Sequence, residues 1–315
     1  METSAPAVDV TPTAWTGRFD GDGPEHRRWW QAVAPHAAGT AAAGVRSAVV
    51  LGFCSDAGVR RNKGRVGAAA APAAIRAALG PLAFHLDWEV FDAGDVVVEG
   101  DQLEDGQARA GRAIAGLIDA GNLTVVLGGG HETAFASYLG VAGSEALRGK
   151  RLGVLNLDAH FDLRDEPVPS SGTPFLQMAQ EEAAAGRELQ YAVVGISEPN
   201  NTRTLFDTAE RLGVKYLLDE ACAPEAVETF VADFLAGIDV LYLTIDLDVM
   251  PAAVAPGVSA PAAYGVPLPV ISAVCKQVAA SGKLVHLDVA ELNPEFDIDG
   301  RTAKVAARLV NTLLA

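Results

Sequence analysis

The sequence predicts an α/β fold of three layers, in which helices cover both faces of a central, mostly parallel, eight-stranded sheet. Eight apolar runs of strand length recur along the 315 residues, and helix-like stretches separate most of them. Regular alternation of strands and helices is typical of a parallel sheet with helices on both faces. Several runs, such as TVVL and LYLTI, are apolar throughout, as expected of strands that are buried on both faces.

The predicted strands and helices follow one another from residue 47 to the carboxyl terminus. Strands are predicted at 47–53, 89–93, 123–128, 152–157, 191–196, 214–218, 240–245 and 284–289. Helices are predicted at 71–79, 103–120, 131–140, 203–212, 223–236, 267–281 and 300–314. Because the crossovers between parallel strands are right-handed, the carboxyl ends of the strands should share one edge of the sheet, where open α/β sheets bind ligands.

The chain is predicted to consist of an N-terminal arm over residues 1–40 and a single domain over residues 41–315. The arm is rich in Pro, Gly and Ala and contains Trp15, Trp29 and Trp30. We expect these tryptophans to anchor the arm on the domain or on a neighbouring subunit, because large rings contribute much buried area.

Charge, terminal sequence and cysteine content indicate which partners the protein can bind and in which cellular compartment it acts. The net charge of −16 and the pI of about 4.7 oppose binding to nucleic acid or to anionic membranes. The amino terminus lacks the cationic and apolar regions of a secretion signal, and no apolar run reaches the length of a membrane span. The three cysteines show no paired spacing, which fits a reducing compartment. The sequence therefore predicts a soluble, cytoplasmic protein with neither nucleic acid nor membrane as a partner.

Acidic and histidine side chains follow three of the predicted strands, in the strings VVLGGGHE, LNLDAHFDLR and LTIDLDVM. If the backbone stays extended, side chains at i, i+2 and i+4 project from one face. Carboxylates at the ends of buried strands are costly unless they are paired or bound to metal. Oxygen and nitrogen donors without a thiolate suit manganese or a similar ion better than a structural zinc. The candidate ligands are His131, Asp158, His160, Asp162, Asp246 and Asp248.

These strings resemble the hallmarks of the ureohydrolase family, the arginase and agmatinase group, as GGGHE (128–132), DAHFD (158–162) and TIDLD (244–248). Segments 52–68, 161–175, 248–262 and 287–309 are similar to the formimidoylglutamase branch of that family. The resemblance covers most of the chain and implies an arginase-like fold. It also implies a homo-oligomer, either a trimer or a hexamer.

The resemblance further implies two Mn²⁺ ions per subunit, with Asp158 and Asp246 bridging them. His131 and Asp162 would complete the ligands of one ion, and His160 and Asp248 those of the other. Two such ions would lower the pKa of a shared water and supply a bridging hydroxide that attacks the substrate carbon.

Two acidic residues are implied to act on the substrate. Asp162 would pass a proton to the leaving amine. Glu291 matches the family glutamate that grips an amidinium or guanidinium group. Its alternative interpretation is a surface acid before Asn-Pro. Asp288, on the same strand end, is a candidate for supporting the ligands, with a purely structural role equally open.

Two departures from the arginase pattern bear on the substrate. Phe175 stands where arginases carry a proton-relaying histidine, and Arg164 stands where they usually have asparagine. An added cation favours a substrate with an extra carboxylate, which N-formimidoyl-L-glutamate has and agmatine lacks. Arg164, together with Arg61 and Arg65 of the basic string RRNKGR, is therefore predicted to bind the substrate, since guanidinium groups suit carboxylate recognition.

The predicted function is hydrolysis of N-formimidoyl-L-glutamate to L-glutamate and formamide, a reaction of histidine degradation. One alternative is an agmatinase or another guanidino-acid hydrolase that releases urea. An alternative of another class is a non-catalytic, metal-bound scaffold. The intact set of ligands and Glu291 favours an enzyme over the scaffold.

Overall fold

The computed structural model describes residues 7–37 and 45–315, and within these residues all eight predicted strands form. A ninth strand, β1 (Ala34–Pro35), adds to one edge of the sheet by pairing with β3. The others are β2 (Ser47–Cys54), β3 (Glu89–Val97), β4 (Leu123–Leu127), β5 (Leu152–Leu157), β6 (Gln190–Ile196), β7 (Lys215–Leu218), β8 (Val240–Asp246) and β9 (Leu284–Ala290). The expected strand count is thus corrected from eight to nine, because a two-residue strand carries no apolar run to signal it.

The strands pair in the order β1-β3-β2-β4-β9-β8-β5-β6-β7, and every pairing between them is parallel. The chain leaves β4 and enters β5 on the far side of a gap that β8 and β9 later fill. Strand order therefore reverses at the centre of the sheet. Such a reversal opens a crevice at the carboxyl ends of the strands, where ligands bind in open α/β sheets.

The seven predicted helices form, with ends within a few residues of the predicted ones, which is the usual uncertainty of helix boundaries. The helices of the structure are α1 (Trp29–Ala32), α2 (Ala57–Arg61), α3 (Ala71–Leu79), α4 (Leu103–Asp119), α5 (Thr133–Gly143), α6 (Pro174–Ala184), α7 (Arg203–Arg211), α8 (Pro224–Ala236), α9 (Leu268–Ala280) and α10 (Arg301–Leu313). The short helices α1 and α2 and the longer α6, which begins at Pro174, were not predicted. Proline is well suited to the first turn of a helix, because the backbone N–H that it lacks would have no hydrogen-bond partner within the helix there.

Two hydrophobic clusters, one on each face of the sheet, confirm the three-layer architecture. Helices α3, α8, α9 and α10 cover one face, and α4 to α7 cover the other. Along β2, Ala48 and Val50 belong to the first cluster, whereas Val49 and Leu51 belong to the second. This alternation follows from the two-residue period of a strand and explains why the central strands are apolar at every position.

The described part of the predicted arm lies against the same chain. Trp29 is fully buried and donates a 2.8 Å hydrogen bond to Asn311. Trp15 stacks on Trp29 with ring centroids 6.3 Å apart. Gly94 has φ +90°, and a Cβ there would lie 2.1 Å from the Val10 carbonyl oxygen, so glycine permits the close approach of the arm to β3. Residues 1–6 and 38–44 lie outside the described residues, and the division at residue 40 stays a prediction.

Among residues 7–37 and 45–315, no helix combines the length and the hydropathy that crossing a membrane requires.

Candidate metal centre

All six predicted metal ligands lie close together at the carboxyl ends of β4, β5 and β8. The loops after β4 and β5 carry His131 and Asp158, and β8 ends at Asp246. Ligand atoms lie within 4.8 Å of one another in two groups, one of His131, Asp158, Asp162 and Asp246, the other of Asp158, His160 and Asp248. The two groups share Asp158, so the arrangement can hold two cations that have a carboxylate in common.

The chain turns directly after each strand, so the condition of an extended backbone through these motifs is not met. Asp158 Oδ1 accepts a hydrogen bond from the His160 backbone N–H at 2.6 Å. Asp246 Oδ1 accepts one from the Asp248 backbone N–H at 2.8 Å. The same side-chain-to-backbone bond thus folds both turns, as short acidic side chains often do. Asp162 follows with a left-handed backbone, at φ +47°.

The His131 ring is the point on which three carboxylates converge. Its Nδ1 lies 2.9 Å from Asp162, 3.1 Å from Asp158 and 3.2 Å from Asp246. Burial lowers the pKa of His131, but hydrogen bonds and charge from these carboxylates outweigh burial and raise the pKa well above its ordinary value. The three carboxylates thus favour a positive charge at this point of the site.

His160 is the second imidazole of the cluster, with its Nδ1 3.2 Å from Asp248 Oδ2 and 3.4 Å from Asp158 Oδ1. Four carboxylates therefore share two imidazoles. Burial raises the pKa of Asp246 well above its ordinary value, and the charges of Asp248 and Asp158 raise it further. Asp248 Oδ1 is buried and has no hydrogen-bond partner among the described residues. Buried carboxylates at such density are stabilised by cations, and a set of oxygen and imidazole donors suits Mn²⁺. The residues present fit a pair of divalent ions.

Glu291 follows β9 and faces the same cavity as the ligands. Its Oε1 accepts a 2.7 Å hydrogen bond from the backbone N–H of His131. Burial raises the pKa of Glu291 to about 8, and the nearby Glu132 carboxyl contributes in the same direction. The backbone of Glu291 is left-handed, at φ +71°. Strained backbone of this kind is concentrated at functional sites, and Glu291 and Asp162 both show it here.

The cavity over the ligands has a volume of about 240 Å³, which suits a small molecule. Arg164 lines it, with half of its side chain exposed and its nearest carboxylate, Glu166, 3.8 Å away. Five further polar side chains, none of which was predicted from the sequence, also line the cavity. They are Asn62, Ser171, Asn200, Asn201 and Ser259. They lie in loops and short turns between the main helices and strands, where no regular spacing of side chains predicts a site.

Arg61 and Arg65 are not brought to the cavity. The Arg61 guanidinium pairs with Asp101 and Glu104, at 2.8 and 2.7 Å. Arg65 donates to the Ser259 carbonyl at 3.0 Å and lies over the Phe296 ring, 4.1 Å from its centroid. Both guanidinium groups are thus engaged by residues distant in sequence, and neither lines the cavity.

Phe175, on α6, packs against the metal-ligand candidate His131. The two rings meet edge to face with centroids 5.4 Å apart, and Phe175 is fully buried. The other side of Phe175 stacks on Tyr191 at 4.4 Å. A phenyl ring can neither accept nor release a proton, so Phe175 supports the His131 imidazole by packing alone.

Two polar side chains behind the ligands were missed by the sequence interpretation. Asn156 donates a 2.9 Å hydrogen bond to Asp158 Oδ2. Thr244 Oγ1 lies 3.0 Å from His131 Nε2. Each stands on a strand, two residues before a ligand candidate: Thr244 precedes Asp246 within β8, and Asn156 precedes Asp158, which directly follows β5. The two-residue period of a strand places i and i+2 on one face and was the signal that could have identified both.

Comparisons with known proteins agree over nearly the whole chain. A model described as the arginase family matches residues 46–315. The formimidoylglutamase of Nocardia farcinica is 60% identical over 301 residues, which cover 95% of this chain and 95% of that protein. The formimidoylglutamase of Rhodococcus opacus is 55% identical over 309 residues, covering 97% and 96% of the two chains. The crystal structure of Trypanosoma cruzi formiminoglutamase with Mn²⁺ superposes with a TM-score of 0.77 at 24% identity, covering 85% of this chain and 92% of that one. The chain belongs to the arginase family.

Proposed function

We propose that this protein hydrolyses N-formimidoyl-L-glutamate to L-glutamate and formamide, and so acts in histidine degradation. The observation that carries the proposal is the pairing of Glu291 and Arg164 in one cavity with the ligand cluster. An anion suits the cationic formimidoyl group, and a cation suits a substrate carboxylate. The names of the two relatives at 60% and 55% identity support the same reaction.

The proposed cofactor is a pair of Mn²⁺ ions per subunit, held by His131, Asp158, His160, Asp162, Asp246 and Asp248. Their two-group arrangement supports this assignment, as does the buried Asp248 Oδ1, for which residues 7–37 and 45–315 supply no hydrogen-bond partner. The Mn²⁺ in the crystal structure of the Trypanosoma cruzi relative supports the choice of ion. When bound, such a pair of ions supplies Lewis-acid charge and activates a water molecule near neutral pH.

The side chains around the ions have distinct proposed tasks. Glu291 accepts hydrogen bonds from the N–H groups of the formimidoyl cation and holds the carbon near the ligands. Arg164 donates hydrogen bonds to a substrate carboxylate. Asp162, whose carboxylate borders the cavity, takes a proton from the attacking water and returns it to the leaving amine. Arg61 and Arg65 were predicted to bind substrate as well, but their present contacts support a structural role.

The alternative functions are less well supported. Agmatine has no carboxylate for Arg164, and a guanidino-acid hydrolase that releases urea is not the activity in the names of the relatives. A non-catalytic scaffold would have no use for Glu291, which is a buried carboxylate at a strained backbone position. A cytoplasmic location, a homo-oligomeric assembly and a single domain after an arm of residues 1–40 complete the proposal.

The proposal is tested by the identity of the product. The manganese-loaded protein is given N-formimidoyl-L-glutamate, agmatine, arginine and 4-guanidinobutyrate separately, and formamide and urea are assayed. Formamide from the first substrate alone is the expected result. Urea from any of the others would overturn the proposed substrate. Asp246→Ala should abolish turnover, and unchanged activity in that variant would refute the two-metal mechanism.

A further inference from the structure

We propose that Thr244 and Asp288, supported by Tyr242, are positioning residues that hold His131 in the tautomer and orientation needed to bind a metal ion. This inference rests on the proposed metal site and deepens it. All three side chains are fully buried, and none of them lines the cavity. They therefore act through His131 and do not touch the substrate.

The register of two central strands brings these residues together. Thr244 on β8 is the direct neighbour of Asp288 on β9. Tyr242, Thr244 and Asp246 stand at successive i, i+2 positions of β8, so all three point to one face of the sheet. The same face of β8 thus carries the ligand candidate Asp246 and the side chains of Tyr242 and Thr244, which lie behind the ligand candidate His131.

The hydrogen bonds form a chain that ends at the imidazole. The Tyr242 hydroxyl donates to Asp288 Oδ2 at 2.5 Å. The Thr244 hydroxyl donates to Asp288 Oδ1 at 2.6 Å. Thr244 Oγ1 then faces His131 Nε2 at 3.0 Å. No other side chain contacts the ring nitrogens of His131 from this side among the hydrogen bonds of the described residues.

The direction of this chain selects one tautomer. Each oxygen of the Asp288 carboxyl group accepts one hydrogen bond, Oδ2 from Tyr242 and Oδ1 from Thr244. The single proton of Thr244 is then committed to Asp288, so a lone pair of Thr244 Oγ1 faces the ring. His131 Nε2 must carry a proton to donate to it. The lone pair for a metal ion is left on Nδ1, the atom on which the three carboxylates converge.

A second hydroxyl–imidazole pair in the same sheet supplies a matched control. Thr124 Oγ1 lies 2.5 Å from His286 Nδ1, on the adjacent strands β4 and β9. Both residues are fully buried, as Thr244 and His131 are. His286 is not a ligand candidate, and removing the Thr124 hydroxyl leaves the hydrogen bonds of Tyr242 and Thr244 to Asp288 in place. The His286 ring packs against Tyr242 with centroids 5.0 Å apart, and its Nε2 lies 4.0 Å from Asp288, so Thr124→Val also shows whether a disturbance beside these residues is enough to weaken metal binding.

The test compares Thr244→Val, Thr244→Ser and Thr124→Val with the wild-type protein. Mn²⁺ binding is titrated calorimetrically at fixed pH, and the melting temperature of each metal-free protein is measured. Loss of a partner that orients a ligand typically weakens metal binding about 10–100-fold. We expect that loss for Thr244→Val, near wild-type binding for Thr244→Ser, which keeps the hydroxyl, and near wild-type binding for Thr124→Val.

Wild-type affinity in Thr244→Val would overturn the inference, as would an equal loss of affinity in Thr124→Val. If Thr244→Val does not fold, Asp288→Asn decides, since it keeps the shape and removes the charge: weaker Mn²⁺ binding supports the inference and unchanged binding refutes it. Failure of the wild-type protein to bind Mn²⁺ would refute the proposed metal site itself, which separates the two failures.

Discussion

The backbone N–H of His131 donates a 2.7 Å hydrogen bond to Glu291 Oε1, so the loop that carries a metal-ligand candidate also holds the proposed substrate anchor. The bond leaves Glu291 Oε2 for the substrate. It also ties the ends of β4 and β9, which are adjacent in the sheet, to each other at the cavity. In the proposed site, one backbone amide therefore links the substrate anchor to the metal ligands.

The first prediction concerns the charge of Glu291. Glu291→Gln keeps the shape and the acceptor for the His131 amide but removes the carboxylate that pairs with the formimidoyl cation. Burial raises the pKa of Glu291 to about 8, and the positive charge of the bound cation lowers this pKa again and favours the ionised form. Truncating one side of a buried ion pair costs roughly 3 kcal/mol, or about 100-fold in kcat/KM. Steady-state kinetics check this value, and calorimetric titration should show Mn²⁺ binding close to wild type. Activity within a few-fold of wild type would contradict the proposed role.

The second prediction concerns Arg164. Arg164→Ala should raise KM for N-formimidoyl-L-glutamate by about 10–100-fold, since a hydrogen-bonded charge is worth roughly 1.5–3 kcal/mol, while kcat changes less. Arg60→Ala is the matched control, because the two side chains are equally exposed, at 50% and 51%, and Arg60 does not line the cavity. An equal effect of both substitutions would indicate a general charge effect and would count against carboxylate recognition by Arg164.

The third prediction decides the role of Arg61. Its guanidinium joins α2 to the start of α4 through Asp101 and Glu104 and donates to the Pro169 carbonyl at 2.9 Å. Both acids are more than half exposed, so Arg61→Ala should lower the free energy of unfolding by only about 1 kcal/mol. Urea denaturation measures this change, and KM should stay near wild type. A rise in KM like that of Arg164→Ala would restore Arg61 to the binding site.

The fourth prediction is a pH dependence that arises from His286. Burial lowers the pKa of His286 from an ordinary 6.5 to about 3. Between these values the unfolded chain binds a proton that the folded protein does not, so stability falls as pH drops below 6.5 and is unaffected above it. The wild-type protein should lose about 2 kcal/mol more than His286→Gln between pH 7 and pH 5. Denaturation of both metal-free proteins at the two pH values checks this, and parallel stability curves would refute it.

Part of the site could be predicted because each motif is contiguous in the chain. In DAHFD, all three ligand candidates lie within five residues, and the apolar run before them identifies the strand end. The parallel topology then requires such ends to meet at one edge. The family resemblance added the division of ligands between two ions, which spacing alone does not contain.

Other parts could not be predicted because they depend on contacts between distant segments. Arg61 and Arg164 look alike as basic residues near family motifs. Only the folded chain brings Asp101 and Glu104, at the start of α4, within hydrogen-bond distance of Arg61, while Arg164 is left facing the cavity. The turns at Asp158 and Asp246 could not be predicted from the apolar strand pattern either. At each of them, one hydrogen bond from a backbone N–H to the aspartate side chain changes the direction of the chain.

The amino-acid sequence by itself determined the fold class, the strand ends and the identity of the candidate ligands, since hydrophobic periodicity and donor chemistry are local properties. Only the tertiary structure decided which arginine faces the cavity and how Thr244 and Asp288 stand behind His131. The physical reason is that hydrogen-bond partners and burial arise from register and packing between strands and helices far apart in the chain, and no local pattern records those distances.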